Sequence, residues 1–240
     1  MSIVVPAHNE AGNIGGLVEE IATALKGREP FEAIFVNDGS TDDTEAVLRG
    51  LAATRPWLRQ MKHASSCGQS AAIRTGVTSA RAPIVVTMDG DGQNDPAFIP
   101  KLLEVLMASG PDVGLVQGQR DRRRGAFKRF QSSIANGVRS AVLRDGTRDT
   151  GCGLKAFRRD LYLSLPYFDA LHRFTPALVR REGLAIKYVN VLDRPRRHGR
   201  SHYGMWSRLW IGIVDLAGVF WLIRRRRRVP EVSEVQDDAR

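Results

Sequence analysis

Only two of the 240 residues are cysteines, Cys67 and Cys152. Neither has metal-site spacing, and two cysteines make no disulfide framework, so the chain fits a reducing compartment. Hydrophobic sequence begins at Ile3, with no basic stretch and cleavage site before it. No secretory signal is therefore expected. There is no internal repeat, and low complexity is confined to an arginine run and the last residues. His63, His172 and His198 show no ligand spacing and read as structural or surface residues. Long hydrophobic runs are also missing, with one partial exception near the end of the chain. What is abundant is apolar sequence of short period. At 42% apolar residues the chain can build a real core, and its length suits one large domain or one with a short appendage.

The charge is unevenly spread. Residues 1–100 carry 8 Lys+Arg against 12 Asp+Glu, and the rest carry 28 against 14. The basic excess falls in three bursts, at 120–129, 194–200 and 224–228. Such a half suits a polyanionic partner: phosphates, anionic lipid or nucleic acid. The bursts lack the interleaved aromatics of a base-stacking platform, which argues against nucleic acid.

Along the first half, strand-like runs (2–6, 31–36, 83–88, 113–117) alternate with helical periodicity (12–26, 42–51, 70–80, 96–107). Asp42 is placed to cap the second helix. This alternation predicts an α/β fold with a mostly parallel central sheet flanked by helices. Two acidic stretches, around Asp38 and Asp89, fall at the carboxyl ends of strands, where open α/β sheets bind ligands.

The second of these reads Asp89-Gly-Asp91-Gly-Gln93-Asn94-Asp95. Oxygen ligands at alternate positions suggest a hard divalent cation. A calcium-binding helix–loop–helix is excluded, because its sixth and twelfth positions would be Asn94 and Pro100 and a strand precedes it. Two readings remain: a Mg²⁺ or Mn²⁺ site completed by substrate phosphates, or a turn whose carboxylates bond local backbone. Gly151-Cys-Gly153-Leu-Lys-Ala156 mimics a dinucleotide fingerprint, but no strand leads into it.

Residues 209–223 read LWIGIVDLAGVFWLI and run into five arginines. A helix of that length is about 22 Å long, against a hydrocarbon core of about 30 Å. A full span is therefore marginal. Trp206, Trp210 and Trp221, with the arginines, favour an interfacial helix over anionic headgroups on the cytoplasmic side. The competing reading is a buried C-terminal core helix with a solvated basic end.

The ordered set PAHNE, NDGSTDDT, GQSAA, DGDGQ, GQR, DTGCG and RRHGRSHYG resembles glycosyltransferase family 2, and within it the dolichyl- and polyprenyl-phosphate glycosyltransferases. The resemblance covers roughly residues 2–205. It implies a GT-A glycosyltransferase domain at 1–204; beyond it, composition gives a membrane-associated helix plus arginine run at 205–228 and a disordered tail at 229–240. It also implies a nucleotide-diphosphate sugar (UDP- or GDP-linked) as donor, a polyprenyl phosphate as acceptor, inversion at the anomeric carbon, Mg²⁺ or Mn²⁺ as cofactor, and work at the cytoplasmic face of a membrane. An oligomer is compatible with it.

Carried over residue by residue, Pro6, Ala7, Glu10, Asp38 and Gln69 contribute to nucleotide-sugar binding, with Asp38 bonding the base. Asp89, Asp91 and Gln93 form the metal set. Arg120, Arg124 and Arg129 bind acceptor phosphate. Arg196 and Ser201 close over the diphosphate, and Asp149 lies with Asp91 at the reaction centre. His202 stands where related sequences often have lysine. Two alternatives compete: a family 2 enzyme acting on a saccharide or lipid A-type hydroxyl, and a non-catalytic basic module binding nucleic acid or membrane.

Overall fold

The structure is a computed structural model. It describes residues 1–120, 139, 142–143, 146–147, 149–192, 194–195 and 205–225, with 205–211 described in backbone only. Arg124, Arg129, Arg196, Ser201, His198, His202 and the 229–240 tail lie outside the described residues.

Among the described residues, seven strands form one sheet: β1 (Ser2–Ala7), β2 (Glu32–Asp38), β3 (Leu58–His63), β4 (Ile84–Thr87), β5 (Val113–Arg120), β6 (Lys155–Arg158) and β7 (Ala185–Val191). Their order is β3-β2-β1-β4-β6-β5-β7. The sheet is mixed. β6 runs antiparallel to both its neighbours, β4 and β5, while every other pairing is parallel. Among the described residues, these α-helices accompany it: α1 (Ala11–Ala24), α2 (Thr44–Ala52), α3 (Gln69–Ser79), α4 (Ile99–Met107), α5 (Arg159–Ser164), α6 (Leu171–Arg181) and α7 (Met205–Arg224).

Strand composition follows from burial on both faces. In β1 and β2, Ile3, Val5, Ala33 and Phe35 point to one core with Ile14, Leu17, Val18 and Ile21 of α1 and Leu102 and Leu106 of α4. The alternate residues Val4, Ile34 and Val36 point to a second core with Ala72, Ile73 and Val77 of α3 and Leu171 and Leu178 of α6. Sheets covered by helices on both faces select uninterrupted apolar runs of this kind. Each large side chain fully buried there stabilises the fold by about 1.5–3 kcal/mol. Truncating Phe35 to alanine would cost about 3–5 kcal/mol.

The expected elements of the first half all form, within a few residues of their predicted bounds. Asp42 differs in detail. Its Oδ1 accepts from Thr44 N (3.0 Å), ahead of α2, and its Oδ2 accepts from Ala11 N (3.2 Å), so it also secures the start of α1. The α7 helix follows the competing reading on one face. Val219 packs with Phe174 and Ala177 of α6, with Leu216, Phe220 and Ile223 against them. Arg181 closes the helix end by donating to Leu222 O (3.1 Å) and Arg225 O (2.9 Å). The other face exposes Ile213, Val214 and Trp221. Among the described residues, no helix is long and apolar enough to cross a membrane.

Candidate active site

A cavity of about 420 Å³ opens at the carboxyl ends of the parallel strands. Its wall follows the strand order. Pro6, Ala7, Glu10 and Asp38 stand over β1 and β2, Asp89 and Asp91 over β4, and Lys155, Tyr162, His172 and Thr175 over β6, α5 and α6.

The β1–β2 end consists of two loops that lock each other. Asn9, at φ +56°, accepts from Thr41 N through Oδ1 (2.8 Å), and its own N–H donates to Ser40 Oγ (2.9 Å). Glu10 N donates to Thr44 Oγ1 (2.9 Å), Ser40 N to Asn37 Oδ1 (3.0 Å), and His8 Nδ1 contacts Asp38 O (2.7 Å). Gly39 sits at φ +61°, and a Cβ there would lie 2.5 Å from the Ser65 carbonyl carbon. Only glycine meets both demands.

Asp38 lines the cavity, but its carboxylate is the hub of the loop before α3. Cys67 N (2.8 Å) and His63 Nδ1 (2.6 Å) meet one oxygen, and Ser66 Oγ (2.9 Å) and Gly68 N (2.9 Å) the other. Four partners match the acceptor capacity of a carboxylate. Burial works to raise the Asp38 pKa. The hydrogen bonds from Cys67, His63, Ser66 and Gly68 outweigh it, and the carboxyl lies below its ordinary range. Asp38 thus organises the loop before α3 while it stands at the cavity wall. Asp38, His63 and Cys67 are also the one trio among the described residues whose donor atoms could share a metal ion. The trio is satisfied without an ion, because His63 Nδ1 meets Asp38 Oδ1 (2.6 Å) and its second ring nitrogen meets Thr75 Oγ1 (2.9 Å).

At the centre, Asp89 and Asp91 both line the cavity. Gln69 Nε2 donates to Asp89 Oδ1 (2.7 Å), and Asp89 N donates to Asn94 Oδ1 (2.9 Å). Asp91 Oδ1 accepts from Gln93 N (3.0 Å), so part of the turn reading holds alongside the metal reading. Burial, then the charge of Asp91, push the Asp89 carboxyl up to about 6, against the opposing pull of Lys155, Arg120 and Gln69. Two carboxylates under that strain at a cavity wall suit a divalent cation, which removes the repulsion between them. Gly153 faces the pair from the start of β6. A Cβ there would come within 2.6 Å of Asn94 Oδ1 and closer still to the Asp89 carboxylate.

Gln93 does not line the cavity. Its Nε2 donates to Arg194 O (3.4 Å) and its backbone carbonyl accepts from Arg194 N (3.2 Å), so it ties the 194 segment down. Arg194 itself pairs with Glu20 (2.7 Å) and Asp95 (2.6 Å).

Two residues expected in different roles meet as one unit. Arg120 grips Asp149 bidentately, Nε to Oδ2 at 2.7 Å and Nη2 to Oδ1 at 2.9 Å. Gln117 Nε2 holds the Asp149 carbonyl at 2.5 Å. Asp149 is 3% exposed, and its neighbours Thr150 and Gly151, rather than Asp149, reach the cavity wall.

Three wall residues escaped the sequence reading. Lys155 is buried beside Asp89 and Asp149 and donates from Nζ to Cys152 O; burial lowers its pKa. Tyr162 stacks on Phe157 with ring centroids 4.8 Å apart. His172 forms part of the wall over β6. The polar DTGCG stretch before β6 was the only available signal for Lys155. Nothing in the sequence marked the other two.

Against this geometry stand the comparisons with known proteins. The model of glycosyl transferase family 2 matches residues 2–165. The chain belongs to glycosyl transferase family 2. It is 35% identical over 238 residues to a dodecaprenyl-phosphate galacturonate synthase of Rhizobium johnstonii, covering 95% of this chain and 68% of the relative. It is 29% identical over 208 residues to an undecaprenyl-phosphate 4-deoxy-4-formamido-L-arabinose transferase of Edwardsiella ictaluri, covering 85% and 63%. The chain thus spans roughly two thirds of these relatives. Among solved structures, glucosyl-3-phosphoglycerate synthase from Mycobacterium tuberculosis, with Mn²⁺ and UDP-glucose, superposes with a TM-score of 0.70 at 23% identity, covering 90% of this chain and 78% of that one. A mycobacterial protein superposes with a TM-score of 0.68 at 27% identity, covering 90% and 74%. These likenesses establish a GT-A-like fold, and β6 is the antiparallel strand that makes its sheet mixed.

Proposed function

We propose that this family 2 chain transfers one sugar from a nucleotide-diphosphate sugar to a polyprenyl phosphate, with inversion and with a divalent metal. The observation that carries the reading is the position of Asp89 and Asp91 midway along one cavity, between the β1–β2 loops and the β6 wall. A nucleoside, a diphosphate and a sugar follow one another in that order, and the wall offers three matching stretches. The names of the two relatives, both polyprenyl-phosphate sugar transferases, support the acceptor class.

Asp89 and Asp91 fit a hard cation and would hold it. When bound, Mg²⁺ or Mn²⁺ neutralises the leaving diphosphate. Gln69 fixes the orientation of Asp89, and the 38–44 loop with Pro6, Ala7 and Glu10 frames the nucleoside. Arg196 and Ser201 are assigned to closing over the diphosphate, and Arg124 and Arg129 to gathering the acceptor charge, on the resemblance alone.

The Arg120–Asp149 pair bears on the acceptor. Both carboxylate oxygens of Asp149 are taken up by a guanidinium, which makes Asp149 a poor general base. A hydroxyl acceptor needs such a base. A phosphate acceptor is already ionised and needs only orientation. Asp149 then acts as a positioning residue that sets the Arg120 guanidinium beside Gly151 at the cavity wall.

The outward stripe of α7, with Trp221 at 59% exposure and the arginines after it, is assigned to the membrane surface, at the cytoplasmic face where the acceptor headgroup lies.

The test is a donor panel of UDP- and GDP-linked sugars with undecaprenyl phosphate and Mn²⁺ or Mg²⁺, read as lipid-linked product. Metal-dependent lipid product from at least one donor is expected. Transfer to saccharide hydroxyls alone, or no nucleotide-sugar binding at all, would overturn the reading.

A further inference from the structure

The cavity wall beyond the metal pair holds polar groups that the reaction so far leaves unused. Ser70 and His172 come from α3 and α6, 102 positions apart, and meet twice. The backbone N–H of His172 donates to Ser70 Oγ at 3.2 Å, and Ser70 Oγ lies 2.8 Å from His172 Nδ1. Ser70 is fully buried, so its own O–H needs an acceptor. Nδ1 is the only partner available to it among the described residues. The network therefore assigns Nδ1 as acceptor and places the ring proton on Nε2.

Nε2 has no partner among the described residues. It is not among the sealed, unpaired atoms, and the ring lines the cavity. Burial, with Lys155 and Arg173 nearby, pushes the His172 pKa down to about 3, so the ring stays neutral. The floor adds a second unmet group. Tyr162 is 2% exposed, lines the same cavity, and its hydroxyl has no partner among the described residues.

Position gives this wall its ligand. Gln69 and Ser70 are consecutive at the start of α3. Gln69 holds the Asp89 carboxylate, and Ser70 holds His172. Lys155 lines the same wall, and its charge is felt by both Asp89 and His172. A diphosphate fixed at Asp89 and Asp91, with its nucleoside over β1–β2, therefore carries its sugar toward His172.

Resting on the glycosyl-transfer reading above, we propose that His172, held by Ser70 as the neutral Nε2–H tautomer, donates a hydrogen bond to a hydroxyl of the transferred sugar and makes this end of the cavity a sugar-recognition subsite. A neutral donor discriminates by hydroxyl position, because an unmatched buried N–H is left unpaired.

The test compares binding of nucleotide sugars with that of nucleotides alone. Wild type, His172→Phe, His172→Gln and Ser70→Ala are titrated in Mn²⁺ with UDP and GDP, and with UDP-glucose, UDP-galactose, UDP-galacturonate and GDP-mannose. For whichever sugar nucleotide wild type prefers, His172→Phe should lose about tenfold in affinity while its affinity for the bare nucleotide is unchanged. His172→Gln, which keeps an N–H donor, should recover part of the loss, and Ser70→Ala should fall between. ¹⁵N NMR of wild-type imidazole should show Nε2 protonated and Nδ1 bare at neutral pH. Equal affinities in all four proteins, parallel losses for nucleotide and nucleotide sugar, or a proton on Nδ1 would overturn the inference. If wild type binds nucleotides but no nucleotide sugar, the transfer reading fails first and the inference falls with it.

Discussion

The two ends of the cavity are built by opposite means. Over β1 and β2 the wall is made of two loops, PAHNE and NDGSTDDT, whose side chains cap each other's backbone. Over β6 it is made of single side chains, Lys155, Tyr162 and His172, carried on β6, α5 and α6. The first kind of wall is stiff because many hydrogen bonds between the two loops share the load. The second depends on a few buried polar contacts, each costly to remove. A rigid clamp suits the part of a donor that varies little, and isolated polar groups suit the part that must be told apart.

Several changes would break or sharpen that contrast. Asp91→Asn, at the junction of the two ends, should lower metal-dependent transfer by about a thousandfold or more, read as product formed at saturating Mn²⁺. Asp38→Ala should act at the stiff end on stability, by about 3 kcal/mol, since it strands four donors; a thermal melt measures it.

The pH dependence has a defined sign. Hydrogen bonds hold the Asp38 pKa below its ordinary value in the folded chain. Its contribution is complete above the unfolded value, about 3.9. It is lost as pH falls through the folded value. The gap in melting temperature between wild type and Asp38→Asn should therefore be constant near neutrality and narrow below about pH 4.

Gly153→Ala pushes a methyl group at the Asp89 carboxylate and Asn94, and should cost about 1–3 kcal/mol, seen as weaker Mn²⁺ binding by titration. Trp221→Ser should be smallest, a several-fold drop in flotation with anionic vesicles at unchanged melting temperature.

The contrast also explains what could be read from sequence. β1, β2 and β4 announce themselves because both their faces are buried and each carries an uninterrupted apolar run. β3 reads LRQMKH and stays hidden, since an edge strand is covered less completely. β6 is four residues long and includes a buried lysine, which defeats any hydrophobic pattern. α6 carries Pro176 inside it.

The site divides the same way. Asp89, Asp91, Glu10 and Gln69 sit in local motifs and do reach the cavity. Gln93 was placed in the metal set by the family resemblance; its side chain is turned toward Arg194. The pairing of Arg120 with Asp149 joins residues 29 positions apart, and the partnership of Ser70 with His172 joins residues 102 apart. Spacing along a chain carries no information about contacts made by tertiary folding.

The most direct test offers both acceptor classes to the chain in one reaction. Wild type is incubated with its preferred nucleotide sugar, undecaprenyl phosphate and a saccharide acceptor, with Mn²⁺ and again with chelator. The expected result is sugar on the lipid phosphate alone, and only with metal. Sugar on the saccharide hydroxyl, or lipid product undiminished by the chelator, would contradict a metal pair at Asp89 and Asp91 serving a phosphate acceptor.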